Sequence, residues 1–74
     1  MNLSEAPILQ GFRITAIHDA TLEIKLLELS FSVHSTLEVL RRAPFRGPLT
    51  LKNDKAQIII RREDARLIEV IPAL

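Results

Sequence analysis

Apolar and polar residues alternate along five stretches of the chain. Successive side chains of a β-strand point to opposite faces, so this alternation is typical of strands with one buried face. In the first stretch Phe12, Ile14 and Ala16 share one face, and in the last Ile68 and Val70 do. The pattern predicts strands at residues 12–17, 36–42, 49–52, 55–61 and 67–71.

Between the first two strands, the apolar residues follow a helical spacing. Leu22, Leu26 and Leu29 recur at intervals that place them on one face of a helix. Asp19 precedes this run, where its carboxylate can accept a hydrogen bond from a free N–H of the first turn. We predict one α-helix at about residues 21–29, with Asp19 as its cap.

The connecting segments carry residues that favour turns. Residues 43–48 join the second and third strands, where Pro44 ends strand pairing and Gly47 can adopt positive φ. Asn53 and Asp54 tolerate left-handed geometry and predict a tight hairpin turn. The remaining connections are predicted as a turn at 31–35 and one helical turn at 62–65. Residues 1–10 are predicted as an irregular lead-in to the first strand.

These elements predict a mainly β protein. Five short antiparallel strands close best as a barrel, because closure removes the unpaired edges that promote aggregation. The order of strand, helix, three strands, helical turn and strand predicts a small five-stranded SH3-like barrel with one inserted helix. The length allows a single domain, at residues 1–74.

Composition narrows the classes of protein. Apolar residues make up 47% of the chain, which is enough for a core and argues against disorder. The chain has no cysteine, which excludes disulfides and thiolate chemistry and fits a reducing compartment. The first residues lack the pattern of a signal peptide, and the longest apolar run, 58–60, is too short to span a bilayer. We therefore expect a soluble cytoplasmic domain.

Few residues have the spacing that catalysis or metal binding requires. His18 and His34 are the only histidines, and no second ligand lies at metal-binding spacing from either. Ser30, Ser32 and Ser35 lie near His34, which could act as a base for a serine nucleophile. However, no acid is placed to orient such a base, and there is no nucleophile-elbow motif. We predict no catalytic residue, no metal site and no enzyme activity.

Two clusters of arginine raise the alternative of a small nucleic-acid-binding module. They comprise Arg41, Arg42 and Arg46, and Arg61, Arg62 and Arg66. However, the chain lacks interleaved aromatic residues for base stacking, and its formal net charge is only +1. We expect instead a solvated face paired with acids, and no nucleic acid. The acids are Glu38, Glu63, Asp64 and Glu69.

Phe45 lies at the predicted tip of the central turn, next to Pro44 and Arg46. It either anchors a partner protein or folds back to cap the barrel, and the sequence leaves both open. Ile59 is expected on the outer face of its strand, in contact with the helix or a partner, whereas the leucines of the helix are expected in the core. The predicted partner-binding residues are Phe45, Arg46, Ile59 and Arg42.

The order and spacing of four motifs resemble the family of ferrous iron transport protein A (FeoA), over about residues 9–72. The motifs are Arg13-Ile14, Leu27-Glu28-Leu29-Ser30, Arg41 to Pro48 with its Arg-Arg-Ala-Pro and Gly-Pro, and Ile58 to Ala65 followed by Ile68-Glu69-Val70. The family has Gly where this chain has Ser30 and His34, and Gly adopts positive φ at little cost. We predict positive φ for at least one of Ser30 and His34.

The resemblance implies a small cytoplasmic accessory protein of bacterial ferrous iron uptake. The implied partner is the FeoB-type membrane iron permease, contacted by protein–protein interaction and without insertion of this chain into the membrane. No cofactor is implied, and iron association would come through the transport system; direct iron binding and self-association are left open. The barrel also resembles the C-terminal domain of metal-dependent repressors, but the chain lacks their DNA-binding and dimerisation segments.

Overall fold

The computed structural model describes residues 1–73, which form one antiparallel sheet of five strands with helices beside it. The elements are a 3-10 helix (Leu3–Glu5), β1 (Gly11–Ile17), α1 (Ala20–Glu28), β2 (Thr36–Arg42), β3 (Leu49–Lys52), β4 (Gln57–Ile60), α2 (Arg62–Ala65) and β5 (Ile68–Pro72). The strand order across the sheet is β4-β3-β2-β1-β5. This is an SH3-like small barrel, and the predicted fold class is confirmed.

The two outer strands of the sheet, β4 and β5, are not paired with each other among residues 1–73. The N-terminal residues cover the edge of β5, because the Val70 N–H donates to the Met1 carbonyl at 2.9 Å and the Met1 amine donates to the Val70 carbonyl at 3.1 Å. The expectation that closure removes every edge is therefore not met at β4. Helix α2 connects β4 to β5, and no backbone hydrogen-bond ladder joins these two strands among residues 1–73.

A β-bulge in β1 decides which of its side chains reach the core. The pairing of β1 with β5 shifts between Ile14 and Ala16, so that Phe12, Ile14 and then Ile17 are buried. Ala16 is half-buried, and its predicted place on the inward face is wrong. The extra residue changes the alternation of faces, and the pattern of residues does not reveal its presence.

The N-terminal segment packs on the barrel and is more than the lead-in that its sequence predicts. Leu3 and Ala6 are fully buried, and Asn2 caps the 3-10 helix by accepting a hydrogen bond from the Ser4 N–H at 3.0 Å. The Arg42 guanidinium donates to the Ala6 carbonyl and ties this segment to β2. The segment is too short to show a period in its sequence, which explains the error.

Helix α1 lies within one residue of its predicted position. The Asp19 carboxylate accepts a hydrogen bond from the Leu22 N–H at 2.8 Å, as expected of the cap. Leu22 and Leu26 are buried, but Leu27 is 61% exposed and Leu29 is 39% exposed. The expectation that all the helix leucines lie in the core is wrong, because only one stripe of the helix faces the sheet.

The loop after α1 has left-handed geometry at two positions. Ser30 has φ 74° and His34 has φ 78°, so the prediction of positive φ is confirmed at both residues. The Ser35 hydroxyl accepts a hydrogen bond from the Ser32 N–H at 3.0 Å and donates to the Ser32 carbonyl at 2.6 Å. These bonds close the loop and leave Phe31 buried beneath it.

Strands β3 and β4 form a hairpin across residues 53–56, and the Asn53 N–H donates to the Ala56 carbonyl at 3.0 Å, so the predicted turn is present. Its expected left-handed geometry is wrong, because neither Asn53 nor Asp54 has positive φ. The Asn53 side-chain oxygen accepts hydrogen bonds from the backbone N–H groups of Lys55 and Ala56, both at 2.8 Å. These side-chain bonds add to the backbone bond that closes the turn. Strand β4 therefore begins at Gln57, two residues later than predicted.

Candidate interaction surface

The turn between β2 and β3 presents Phe45 and Arg46 at its tip. The Gly47 N–H donates to the Pro44 carbonyl at 3.2 Å, and both central residues have φ 59°. Positive φ at both central positions is the pattern of a type I′ turn, whose twist matches that of paired strands. Residues 44–47 are termed the tip turn.

The tip turn holds its aromatic residue in solvent. Phe45 is 99% exposed, so the alternative in which it folds back to cap the barrel is wrong. Left-handed geometry costs residues other than glycine roughly 1–2 kcal/mol each. Phe45 and Arg46 therefore keep a backbone conformation that their own side chains do not favour, and the ring is presented without burial to offset that cost.

Gly47 has a steric role in the tip turn, which differs from the role predicted from the sequence. Neither glycine of the chain has positive φ, so the predicted left-handed role of Gly47 is wrong. A Cβ at this position would lie 2.7 Å from the Ala43 Cβ and 3.1 Å from the Pro44 carbonyl oxygen. Glycine is required because the turn folds back closely on its own chain.

Arg42 and Ile59 do not join Phe45 and Arg46 at the tip turn. Arg42 is exposed at the end of β2, where its guanidinium is held by the Ala6 carbonyl. Ile59 is 70% exposed on β4, opposite Thr50. Of the four predicted partner-binding residues, the structure brings together only Phe45 and Arg46.

Ile59 instead borders a cleft of ≈ 160 Å³ between α1 and β4, termed the α1–β4 cleft. Its lining consists of Leu22, Lys25, Leu26 and Leu29 from the helix side and Ile59, Ile60, Arg61 and Asp64 from the strand side. Ile59 and the helix residues thus border the same cleft, and a contact of Ile59 with the helix or a partner stays a prediction. The contribution of Lys25 and Leu29 was missed, since no sequence signal relates them to a strand so much later in the chain.

The arginine clusters make few ion pairs. Among residues 1–73, Arg61 pairs with Asp64, with 3.4 Å between nitrogen and oxygen, and no other arginine lies within ion-pair distance of an acid. Glu69 faces the N-terminal amine at 3.7 Å and His18 at 3.9 Å. Among residues 1–73, the predicted pairing of arginines is confirmed at Asp64 and is wrong at Glu38, Glu63 and Glu69. At Glu69 the N-terminal segment occupies that edge.

The two histidines lie in different connections of the fold, His18 after β1 and His34 before β2. His34 borders a polar pocket of ≈ 490 Å³ with Ser30, Ser32 and Asp54, which the sequence did not reveal. Within the described part of the chain, no three His, Cys, Asp or Glu residues come together as metal ligands would. The predictions of no metal site and no catalysis stay predictions.

Helices of residues 1–73 are all too short or too polar to cross a membrane. The fold and surface thus define a small SH3-like barrel with an exposed turn. The sequence model of the FeoA domain matches residues 1–72, and the chain belongs to this family. Membership supports a role in ferrous iron transport.

Solved structures agree with the family. The FeoA protein from Chlorobium tepidum superposes with a TM-score of 0.90 at 25% identity, over 100% of this chain and 71% of that chain. Iron(II) transport protein A from Clostridium thermocellum gives 0.87 at 29% identity, over 97% of this chain and 45% of that one.

The same fold occurs in a larger protein of another kind. ScaR with bound Zn²⁺ gives a TM-score of 0.86 at 22% identity, over 99% of this chain and 37% of that one. This likeness shows the fold alone. Comparison with curated protein sequences gives no match.

Proposed function

We propose that this protein is a cytoplasmic accessory protein of bacterial ferrous iron uptake that docks on the FeoB-type membrane permease. The observation that carries the proposal is Phe45, an aromatic residue 99% exposed at a hydrogen-bonded turn of a FeoA-domain chain. Protein interfaces are enriched in aromatic residues and arginine. Phe45 and Arg46 are therefore proposed as the centre of the contact.

The geometry of the tip turn favours tight docking. Burying a phenylalanine side chain contributes about 1.5–3 kcal/mol. The turn is already closed by the bond from Gly47 to Pro44, so little backbone conformational entropy is lost on binding. Arg42 supports the contact indirectly by holding the end of β2 to the N-terminal segment, and Ile59 contributes at a separate surface.

A calorimetric titration of the protein into the detergent-purified permease tests this function. We expect saturable binding at low and moderate salt, and Phe45→Ala to weaken it by about tenfold or more, as for a central aromatic anchor. The thermal midpoint of Phe45→Ala should stay near that of the parent protein, because the lost ring is exposed and alanine keeps the same backbone cost.

Leu9→Ala is the matched control for this experiment. Leu9 is also apolar, 68% exposed and at positive φ, with φ 60°, but it lies outside the tip turn. This variant should bind the permease like the parent protein. Absence of heat with the permease would contradict the proposed function, and equal weakening by both variants would contradict the placement of the contact.

Nucleic-acid binding by the arginine clusters has weaker support. Arg42 and Arg61 are held by the Ala6 carbonyl and Asp64, so they are less available to phosphates. Such binding would also fall steeply with salt concentration, which the two salt conditions of a parallel titration with duplex DNA or RNA would detect.

A further inference from the structure

The chain covers one edge of its sheet and leaves the other open. Strand β5 is covered by the N-terminal residues, through the bonds between Met1 and Val70 and a bridge between Asn2 and Glu69. Strand β4 pairs with β3 on one side, and no backbone segment among residues 1–73 pairs with its other side. An open edge presents unpaired N–H and C=O groups that can receive a further strand.

The α1–β4 cleft lies beside this open edge, and both apolar and charged residues line it. Leu29 and Ile59, which are 39% and 70% exposed, stand on its two walls. Its volume of ≈ 160 Å³ accommodates one branched aliphatic side chain rather than a small-molecule ligand. The edge therefore offers backbone hydrogen bonds, and the cleft offers a site for one apolar side chain.

The charges of the cleft point to an acidic ligand group. The Arg61 guanidinium is engaged by Asp64 at 3.4 Å, whereas Lys25 makes no ion pair within the described residues. Lys25 lines the cleft on the helix side, one turn from Leu29. A carboxylate that reaches Lys25 would therefore meet an uncompensated positive charge.

We propose that β4 and the α1–β4 cleft bind an extended peptide segment in which an aliphatic residue is followed two positions later by an acidic residue. Residues two positions apart in a strand point to the same face, so the aliphatic side chain enters the cleft while the carboxylate reaches Lys25. The peptide backbone pairs with β4, as in other proteins that add a strand to a sheet edge. This surface is separate from the tip turn, and the inference goes beyond the proposed function.

A second copy of this chain fits the edge less well. Two β4 strands paired antiparallel about their midpoint would set Lys55 of one copy against the Arg61–Arg62 end of the other. Like charges placed opposite each other across paired strands are destabilising. A partner strand with an acidic residue removes this repulsion.

The probe is a synthetic peptide, acetyl-Thr-Val-Ser-Leu-Thr-Glu-Thr-amide, titrated into the uniformly ¹⁵N-labelled full chain and followed by amide chemical shifts. We expect saturable shifts at the residues of β4 and at Lys25 and Leu29. A peptide with proline between Leu and Glu loses a backbone donor and should bind at least about tenfold more weakly. Equal binding of both peptides would overturn strand pairing.

Variants of the protein separate the two parts of the site. Ile59→Lys should weaken the binding about tenfold or more, because it places a charge against the apolar wall. Ile71→Lys is the matched control, since Ile71 is 48% exposed on the covered edge strand and should leave binding unchanged. Equal loss in both variants would contradict the assignment of the cleft.

The charge assignment has its own test. Lys25→Glu should weaken the binding of the Glu-containing peptide by about fivefold, the upper range for an exposed ion pair. It should leave a peptide with Gln in place of Glu unaffected, and an equal effect on both peptides would overturn the role of Lys25. Self-association of the free chain that Ile59→Lys abolishes would show that a second copy occupies β4, and would overturn the proposal.

These experiments use no permease, so their outcome is independent of the proposed function. A chain that binds the permease through Phe45 and ignores the peptide would refute this inference alone. A chain that binds the peptide and gives no heat with the permease would refute the proposed function alone.

Discussion

Among residues 1–73, positive φ occurs at five residues, and none of them is glycine. They are Leu9, Ser30, His34, Phe45 and Arg46. Two of these positions donate hydrogen bonds to strands that are distant in sequence: the His34 N–H donates to the Ile14 carbonyl at 2.8 Å, and the Leu9 N–H donates to the Val39 carbonyl at 2.9 Å. At His34 and Leu9, tertiary hydrogen bonds therefore hold the backbone in a geometry that the side chains alone do not favour.

His34→Gly should stabilise the protein by up to about 1 kcal/mol, because the roughly 1–2 kcal/mol steric cost of a Cβ in the left-handed region exceeds the roughly 0.5–1 kcal/mol of unfolded-chain entropy that glycine adds. The His34 side chain is exposed, so little contact is lost. Urea unfolding measures the change. Ser32→Gly, at a neighbouring position without positive φ, should instead lose roughly 0.5–1 kcal/mol through the entropy of the unfolded chain. Equal destabilisation by both changes would contradict strain at His34.

Gly47→Ala should destabilise the protein by roughly 1–3 kcal/mol, the usual cost of forcing an extra carbon into an occupied space. The added Cβ would meet the Ala43 Cβ at 2.7 Å, which forces the tip turn to shift. Gly11→Ala is the control, because the nearest atom to its Cβ would be the Ala73 Cβ at 3.8 Å, an ordinary contact. Denaturant midpoints of the two variants should differ, and coincident midpoints would contradict the crowding at Gly47.

Positive φ in the loop after α1 was predicted from the sequence. Ser30 and His34 stand where the FeoA family has glycine, and the low cost of positive φ in glycine made that geometry the expected one. Gly47 shows the limit of the same reasoning. A glycine in a turn indicates that a Cβ is not tolerated, but the sequence does not distinguish a left-handed backbone from a lack of space.

At the scale of elements, periodicity predicted the strands and α1 to within a few residues because their buried faces repeat along the chain. The β-bulge near Ala16 and the 3-10 helix before Ala6 have no period, so neither was predicted. The tip turn was predicted from Pro44 and Gly47, and it carries the two candidate residues that are neighbours in sequence. The α1–β4 cleft was missed, since Lys25 and Ile59 meet only through the tertiary fold.

The N-terminal 3-10 helix should contribute to stability as an element of the core. Leu3→Ala is expected to cost about 2–5 kcal/mol, because Leu3 is fully buried and its removal leaves a cavity. Leu9→Ala, at a position 68% exposed, should change the free energy of unfolding by less than about 0.5 kcal/mol. Equal unfolding free energies of the two variants in urea would show that the segment is not part of the cooperative core.

At the scale of the whole molecule, some paired strands of the sheet are close together in the sequence and others are far apart. Strands β2, β3 and β4 pair with their neighbours in sequence across loops, whereas β1 pairs with β5 from Phe12↔Pro72 to Ile17↔Ile68. The pairing of β1 with β5 closes most of the chain into a loop. Closing a longer loop costs more conformational entropy, so this pairing is less favourable early in folding than the pairing of neighbouring strands.

This topology predicts the order of folding. Leu51 in β3 and Val70 in β5 are almost completely buried, so alanine at either position should destabilise the native state enough for a reliable comparison of rates. Leu51→Ala should mainly slow folding, because the β2-β3-β4 meander forms first from local contacts. Val70→Ala should mainly speed unfolding, because the contacts of β5 form after the transition state. Stopped-flow measurements in urea give both rates. A Val70→Ala variant that folds slowly while Leu51→Ala folds at the parent rate would mean that the β1–β5 pairing nucleates the barrel, despite the entropy of closing the longer loop.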